Sequence, residues 1–441
     1  MRTRLIAAGL GSAMVSSLLV LGATAPAQAG DLHVKLTNNP DGSIHVDWDP
    51  AVGVGSTYQV QIATDRLITA HVQTFDVPGN GSQTELDVPH ADLVTPASGD
   101  YTFVKVQIDR HGNGENSGTP TAWIKPTPVA PPTTGSTVKM ATFNVRIWRA
   151  SDQKKKKKKS LVSWTVRRKK IASTIKATDP GVILLQESSG AAKLRVAGKL
   201  WQFQDLTNRL PKKYKLSVQG LYTNARGLAI GSQGSRIVVD TSRYKVLKTG
   251  YVQPPAFSPK QTRFLPWALL RIKSTGEEFY VASAHLQSGA DKPGQTRLYD
   301  MRQRQTDYIN AQLARLAASG RGVYLGGDFN STSNTKPDNN VHRTLVADGW
   351  YDGFATTTVS GDEFPTTNDF VFPVKPGPFR RDYLMSLGAP QGSYGYTNHF
   401  YNSASKFASD HFMQSAVFPV GAGPYLTAAQ IGRSKYKPYH R

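Results

Sequence analysis

The sequence predicts a two-part chain: a small all-β sandwich, then a larger α/β part whose strands end in polar side chains. Three observations carry this. Residues 30–124 hold short runs of alternating apolar and polar residues between Gly- and Asn-rich turns. Residues 138–420 hold continuous apolar runs, the mark of strands covered on both faces, together with helix-period stretches. Between them, KPTPVAPPTTGST (Lys125 to Thr137) breaks all periodicity, and its prolines favour an extended, semi-rigid connection.

At the start of the chain, Arg2 and Arg4 precede an apolar stretch from Leu5 to Leu21, and Ala27-Gln28-Ala29 offers small residues before Gly30. Residues 1–29 therefore read as a secretory signal peptide; the stretch is short and rich in Gly, Ala and Ser, which argues against a membrane helix. The mature protein is expected to be exported, soluble and monomeric, with no transmembrane segment. The chain has no cysteine, which excludes disulfides, zinc–thiolate sites and cysteine nucleophiles. Charge divides sharply. Residues 30–137 hold 5 basic and 12 acidic residues, whereas residues 138–441 hold 46 basic and 19 acidic, a net of +27. Opposite signs argue for two domains with different jobs, and the positive field of the second attracts polyanions.

In residues 30–124, Ile44, Val46 and Trp48 alternate in one run, Tyr58, Val60 and Ile62 in the next, and Tyr101 to Ile108 in a third. Pro78-Gly79-Asn80-Gly81 and similar turns separate them. About a hundred residues of this kind, with one strand-centred Trp, predict a β-sandwich. Its histidines, His33, His45, His71, His90 and His111, are scattered and form no constellation. The region is either a passive spacer or a module that docks on a polymer or cell surface.

In residues 138–420 the run VKMATFNVRIW ends near Asn144. A helix-like stretch follows, with Trp164, Ile171 and Ile175 on one face, and Asp179-Pro180-Gly181 stops it. Val182 to Leu185 is continuously apolar and terminates at Glu187, a carboxylate that needs a metal or cationic partner if it is buried. Six successive lysines, Lys154–Lys159, form either a solvated loop or a phosphate contact. EEFYVASAHLQ delivers His285. An amphipathic helix follows, with Leu298, Met301, Tyr308, Ile309, Leu313 and Leu316 towards the core and Arg297, Arg302, Arg304 and Arg315 mostly outside. VYLGGDFN delivers Asp328 and Asn330, and its two glycines suggest close approach of backbone or substrate. RRDYL delivers Asp382, and ASDHF delivers Asp410 and His411. Any one of these could be an ordinary strand-end turn; six in one chain exceed coincidence. The basic, aromatic stretch 421–441 is either a solvated tail or a source of non-specific affinity for polyanions.

Two resemblances arise at these residues. The order DGSIHVDWDP, YQVQIATD, DYTFVKVQIDRHGNGENSG resembles a fibronectin type III domain. Asn144, Glu187, His285, Asp328 with Asn330, Asp382 and Asp410 with His411, in this order, resemble the endonuclease/exonuclease/phosphatase superfamily, the family of deoxyribonuclease I, over residues 138–420. That resemblance implies a four-layer α/β sandwich, two mixed and mainly antiparallel sheets flanked by helices, with the active site at one end. It implies Glu187 as metal ligand with Asn144 nearby and Asp410 contributing. Asp328 would orient or deprotonate water, Asn330 would hold the phosphate, and Asp382 would orient His411. His285 would act as general acid or as a second phosphate donor.

Oxygen ligands of this kind suit Mg²⁺ or Mn²⁺, with Ca²⁺ assisting. Histidine at 285 resembles secreted nucleases, sphingomyelinases and inositol phosphatases rather than abasic-site repair enzymes, which carry tyrosine there. In deoxyribonuclease I a glutamate pairs with this histidine; the matching stretch here, GSQGSRIV, has no acid. The leading expectation is a secreted, metal-dependent endonuclease that cuts DNA, and also RNA, to 5′-phosphates. The alternatives are a sphingomyelinase or other phosphoesterase, with the aromatic stretch Tyr394 to Tyr401 as a membrane-touching hairpin, and a non-catalytic binding protein.

Overall fold

The computed structural model describes residues 34–38, 43–49, 57–63, 72–78, 83–89, 102–109, 122–124, 129–148, 163–189, 200–332, 335, 339–377, 379–401, 403 and 407–421. The signal-peptide stretch, Lys154–Lys159 and the tail beyond Gly421 lie outside them.

The alternating runs of the first part form seven strands: β1 (Lys35–Asn38), β2 (Ile44–Asp47), β3 (Thr57–Ala63), β4 (Gln73–Val77), β5 (Glu85–Val88), β6 (Thr102–Asp109) and β7 (Ala122–Ile124). They make two antiparallel sheets, ordered β1-β2-β5 and β4-β3-β6-β7. Every second side chain of β2 and β3 turns inward, so Ile44, Val46, Tyr58, Val60 and Ile62 share one core with Trp48, Val104 and Val106.

After it come β8 (Ser136–Asn144), α1 (Trp164–Thr178), β9 (Val182–Gln186), the short α2 (Gln202–Thr207), β10 (Tyr214–Leu216), β11 (Arg236–Asp240), β12 (Tyr244–Val252), β13 (Leu265–Ile272) and β14 (Glu278–His285). They are followed by α3 (Arg297–Ala317), β15 (Val323–Asp328), α4 (Asn340–Ala347), β16 (Tyr351–Asp352), β17 (Val359–Ser360), β18 (Asp382–Leu387), β19 (Gly395–Asn398) and β20 (Gln414–Val420). A seven-stranded sheet runs β10-β11-β9-β8-β20-β19-β17 and a six-stranded one β12-β13-β14-β15-β18-β16. The pairs β8–β9, β14–β15 and β17–β19 are parallel and the rest antiparallel. The first two parallel pairs are bridged by α1 and α3, because parallel neighbours need a crossover.

Three apolar clusters define four layers. Met140, Val182, Leu184, Val281, Tyr324 and Leu384 pack between the sheets. Ala141, Ile183 and Leu185 face the other way, onto Ile171 and Ile175 of α1. Ala282, Leu325 and Met385 pack outward on Ile309 and Leu313 of α3. All five residues of β9 are buried, as a strand covered on both faces requires.

Several details correct the sequence reading or choose between its alternatives. Arg302 of α3 points inward, donating to the carbonyls of Gln287 and Gly289. The glycines of GGDFN make room for neighbouring chain rather than substrate. A Cβ at Gly326 would lie 2.6 Å from Leu184 and 2.7 Å from Leu384, and one at Gly327 would strike the Ala284 carbonyl. Past its proline-rich start, the connecting segment lies on the second part: Val129 N–H donates to Ala355 O, and Tyr394 Oη donates to Pro132 O. The aromatic stretch 394–401 is packed, with Tyr396 in the core between the sheets and Phe400 stacked on Phe364 and edge-on to Phe412.

Candidate active site

Strand register gathers the polar strand ends. In the six-stranded sheet His285, Asp328 and Asp382 stand directly opposite one another on β14, β15 and β18. In the facing sheet Asn144 of β8 is opposite Gln186 of β9, which puts Glu187 one residue further out. His411 precedes β20, in a bridge with Thr367. All of them emerge at one end of the sandwich.

The chain turns sharply there. Arg146, Glu187 and Asn330 have positive φ (52°, 55° and 51°), a conformation that costs a non-glycine residue about 1–2 kcal/mol. Side-chain-to-backbone bonds hold two of these turns: Asn144 Oδ1 accepts from Arg146 N–H at 3.0 Å, and Asp328 Oδ1 accepts from Asn330 N–H at 2.9 Å. The third is held by Ile147 N–H donating to Glu187 Oε2 at 2.8 Å.

Asp328 is the hub. It is 2 % exposed, and its Oδ2 accepts from Asn144 Nδ2 at 2.9 Å, with His285 Nε2 at 3.5 Å and His411 Nε2 at 3.7 Å. Burial, aided by the neighbouring Asp382 charge, raises its pKa despite His411 and Asn144. His411 Nδ1 lies 2.9 Å from Asp382 Oδ2, which also accepts from Thr366 Oγ1 at 2.7 Å. Burial alone would lower the His411 pKa; Asp382 and Asp328 outweigh it and push it up to about 10. His411 is therefore an imidazolium at neutral pH.

His285 is its opposite. Its Nδ1 is buried with no hydrogen-bond partner, consistent with the missing acid in GSQGSRIV. Burial, then the nearby charges of Arg263 and His411, hold its pKa well below the ordinary value. A buried bare lone pair costs less than a buried bare N–H, so the proton of this neutral ring belongs on Nε2, facing Asp328.

Glu187 is half-buried, with Oε1 3.3 Å from Asn144 Nδ2. Asp410 is drawn away from it: Oδ2 pairs with Arg146 at 2.6 Å and Oδ1 accepts from Ser409 Oγ at 3.1 Å. Burial would raise the Asp410 pKa, but His411 and Arg146 prevail and lower it. Asn330 is half-buried, and its Nδ2 donates to Leu286 O at 3.1 Å. Among the described residues no group of three or more His, Cys, Asp and Glu side chains forms a metal cage. The oxygen donors Glu187 and Asn144 nonetheless fit a Mg²⁺-like ion, which takes one or two protein oxygens and keeps most of its waters.

The structure brings together Asn144, Glu187, His285, Asp328, Asn330, Asp382 and His411, with Asp410 at the edge through Arg146. Sequence reasoning missed Arg146, Arg263, Thr366 and Ser409. Arg146, two residues after Asn144, and Ser409, next to Asp410 in ASDHF, had a positional signal; Thr366 becomes visible through the pairing of its carbonyl with Phe412 N–H at 2.8 Å.

A four-layer sandwich with carboxylates, a carboxamide and two unlike imidazoles at one mouth defines a phosphoester-hydrolase class of protein. The profile of the Endonuclease/Exonuclease/phosphatase family matches residues 142–411, and the chain belongs to that family. Its members are phosphoesterases and related hydrolases, generally dependent on a divalent metal. Similar solved structures include a family protein from Bacteroides thetaiotaomicron, at 19% identity and TM-score 0.50 over 65% of this chain and 96% of that one. A mannosyl-6-phosphatase from the same species has 18% identity and TM-score 0.49 over 63% and 98% of the two chains. Danio rerio TDP2 complexed with a single-stranded DNA product has 17% identity and TM-score 0.42 over 64% and 98%. No curated protein matches the sequence significantly. Among the described residues no helix is long and apolar enough to cross a membrane.

Proposed function

We propose that the protein is a secreted, metal-dependent endonuclease that hydrolyses phosphodiester bonds of DNA, and also of RNA, to leave 5′-phosphates. The reading rests above all on the hub: a buried aspartate with raised pKa, flanked by one charged and one neutral imidazole. A divalent cation, Mg²⁺ or Mn²⁺, held by Glu187 with Asn144 would supply Lewis-acid neutralisation of phosphate charge. Asp328 accepts the proton of the attacking water, a role its raised pKa favours, as the water oxygen bonds to phosphorus, the P–O3′ bond breaks and the departing 3′ oxygen takes a proton from solvent water. Imidazolium His411, fixed by Asp382 and Thr366, donates through Nε2 to a phosphate oxygen. Neutral His285 is a hydrogen-bond donor to the phosphate rather than a general acid, since it carries no extra proton to give.

The net +27 on residues 138–441 supports a polyanionic substrate. The packing of Tyr394 to Tyr401 disfavours a membrane-touching hairpin, and with it the sphingomyelinase alternative. The three- and four-stranded sheets of the first part support its fibronectin type III reading, as a passive spacer or as a module that contacts a polymer or cell surface. The test is nicking of plasmid DNA with Mg²⁺, its loss with EDTA and a steep fall with salt. Undiminished nicking by His411→Ala or Glu187→Ala would refute the site, and release of phosphocholine from sphingomyelin without nicking would refute the substrate.

A further inference from the structure

We propose that the outer face of the β12–β13 ladder is a docking platform for single-stranded nucleic acid, with one base stacked on Trp267 and the neighbouring phosphates on Lys248 and Lys245. The inference rests on the nuclease reading of the site and adds to it a strand type and a second contact surface.

Strand register builds the platform. In β13, Ala268, Leu270 and Ile272 turn into the core between the sheets, so Trp267, Leu269 and Arg271 face outward. On β12, Lys245 is opposite Arg271 and Lys248 opposite Leu269. A register shift between Val246 and Lys248 brings both lysines to this one face, where regular alternation would have split them. Beside them Trp267 lies against Gly250, and a Cβ there would strike the indole ring. Helix α3 packs on Ala282, Leu325 and Met385 of the next three strands. Further out, Lys245, Lys248 and Arg271 are exposed, and Trp267 and Leu269 are half-buried.

The charge on this face is unbalanced. Arg271 and Arg321 share one acid, Glu278, and among the described residues Lys245 and Lys248 pair with no carboxylate. Lysines on an edge strand commonly block pairing with another chain. That role requires neither an uncovered tryptophan nor a bulge that turns both cations to one face. An aromatic ring interleaved with cations is what binds single strands without regard to sequence. The platform also starts beside the mouth and leads away from it. Trp267 is opposite Ala282, three residues before His285, and Arg271 is opposite Glu278, seven before. A duplex, stiff over about 50 nm, cannot turn from the end of the sandwich down its flank, whereas a single strand can.

The experiment uses the full chain and a fluorescein-labelled oligothymidylate of twelve residues, followed by anisotropy in EDTA at several salt concentrations. Lys245→Gln with Lys248→Gln should lower the slope of log affinity against log salt by about 1.4, since each phosphate contact on a single strand contributes about 0.7. Trp267→Leu should weaken binding about tenfold. Neither change should alter kcat/KM on bis(p-nitrophenyl) phosphate with Mg²⁺, which reaches the mouth alone. An unchanged slope in the lysine pair overturns the proposal. So does an equal change from Lys169→Gln with Lys176→Gln on α1, which would show bulk charge only, or an equal loss on a duplex of the same length. Should Trp267→Leu fail to fold, the exposed lysine pair decides alone. Nicking of plasmid DNA by a parent whose slope ignores the lysines leaves the nuclease reading and removes the platform; strand binding through the lysines without any cutting does the reverse.

Discussion

Asp328 and Asp352 are buried in the same six-stranded sheet, on β15 and β16, both of which pair with β18. Their surroundings could hardly differ more. Asp352 is met by Arg380 at 2.7 and 3.3 Å and by His342 at 3.0 Å. Burial would raise its pKa, but Arg380 and His342 win and bring it down to about 2. Among the described residues no arginine is hydrogen-bonded to Asp328; its pKa rises, and its neighbours are a carboxamide, a backbone N–H and two imidazoles at longer range. One carboxylate is neutralised by the fold; the other is left for something outside the fold to complete. That difference separates the charge that the fold neutralises from the one proposed to act on substrate more sharply than burial does.

The largest expected effect falls on the unneutralised member. Asp328→Asn should reduce turnover on a phosphodiester by about 10³–10⁴-fold, the general-base contribution together with lost orientation. Its unfolding free energy should stay within about 1 kcal/mol of the parent, because a carboxylate with raised pKa stabilises the fold little. Asp352→Asn should do the reverse. It leaves Arg380 buried without its counter-charge, at a cost of about 3–5 kcal/mol, while kcat below the melting range stays near that of the parent. Urea titrations and initial rates on both variants check this; a stability loss for Asp328→Asn as large as that for Asp352→Asn would break the comparison. The depressed Asp352 pKa also predicts an acid limb: its contribution is present above about pH 4 and disappears as pH falls towards 2, so Asp352→Asn should flatten stability across that window.

A smaller effect is expected at His411. Its pKa of about 10 means that its contribution to stability is complete below about pH 6.5 and fades as pH rises towards 10. Asp382→Asn removes the charge that sustains the imidazolium. The alkaline limb of kcat/KM should then move towards neutrality, with a loss of about 10- to 100-fold at pH 7. An unchanged pH–rate profile would show that His411 does not act in its charged form.

Much of this site was legible because each principal residue sits at the end of an apolar run, and a strand end is a one-dimensional feature. Asn144, Glu187, His285, Asp328 and Asp382 were found that way. The missing acid near His285 was legible too, and the unpartnered Nδ1 is its structural counterpart. What escaped depends on pairings between distant segments. Thr366 acts through bonds to Asp382 and Phe412, residues 16 and 46 positions further along the chain. Helical periodicity placed Arg302 outside, since period alone cannot reveal that carbonyls of the loop at 287–289 call for a buried donor. The aromatic stretch at 394–401 was ambiguous for the same reason, as its partners Phe364 and Phe412 are remote or beyond the run.

The mildest test concerns how tightly the mouth is positioned. A Cβ at Gly234 would lie 2.9 Å from both N and Cα of Glu187, closer than real Cβ contacts come. Glu187 is already held with φ at 55° and by Ile147 N–H, so its backbone can yield only by carrying its carboxylate with it. Gly234→Ala should therefore shift the proposed metal ligand by a few tenths of an ångström and raise the Mg²⁺ concentration for half-maximal activity about tenfold, leaving the rate at saturating Mg²⁺ within about threefold. Gly220→Ala is the control, since a Cβ there meets nothing within 4 Å. Identical Mg²⁺ titrations for the two variants would mean that Glu187 does not hold the ion, and the mouth would then need its cation elsewhere.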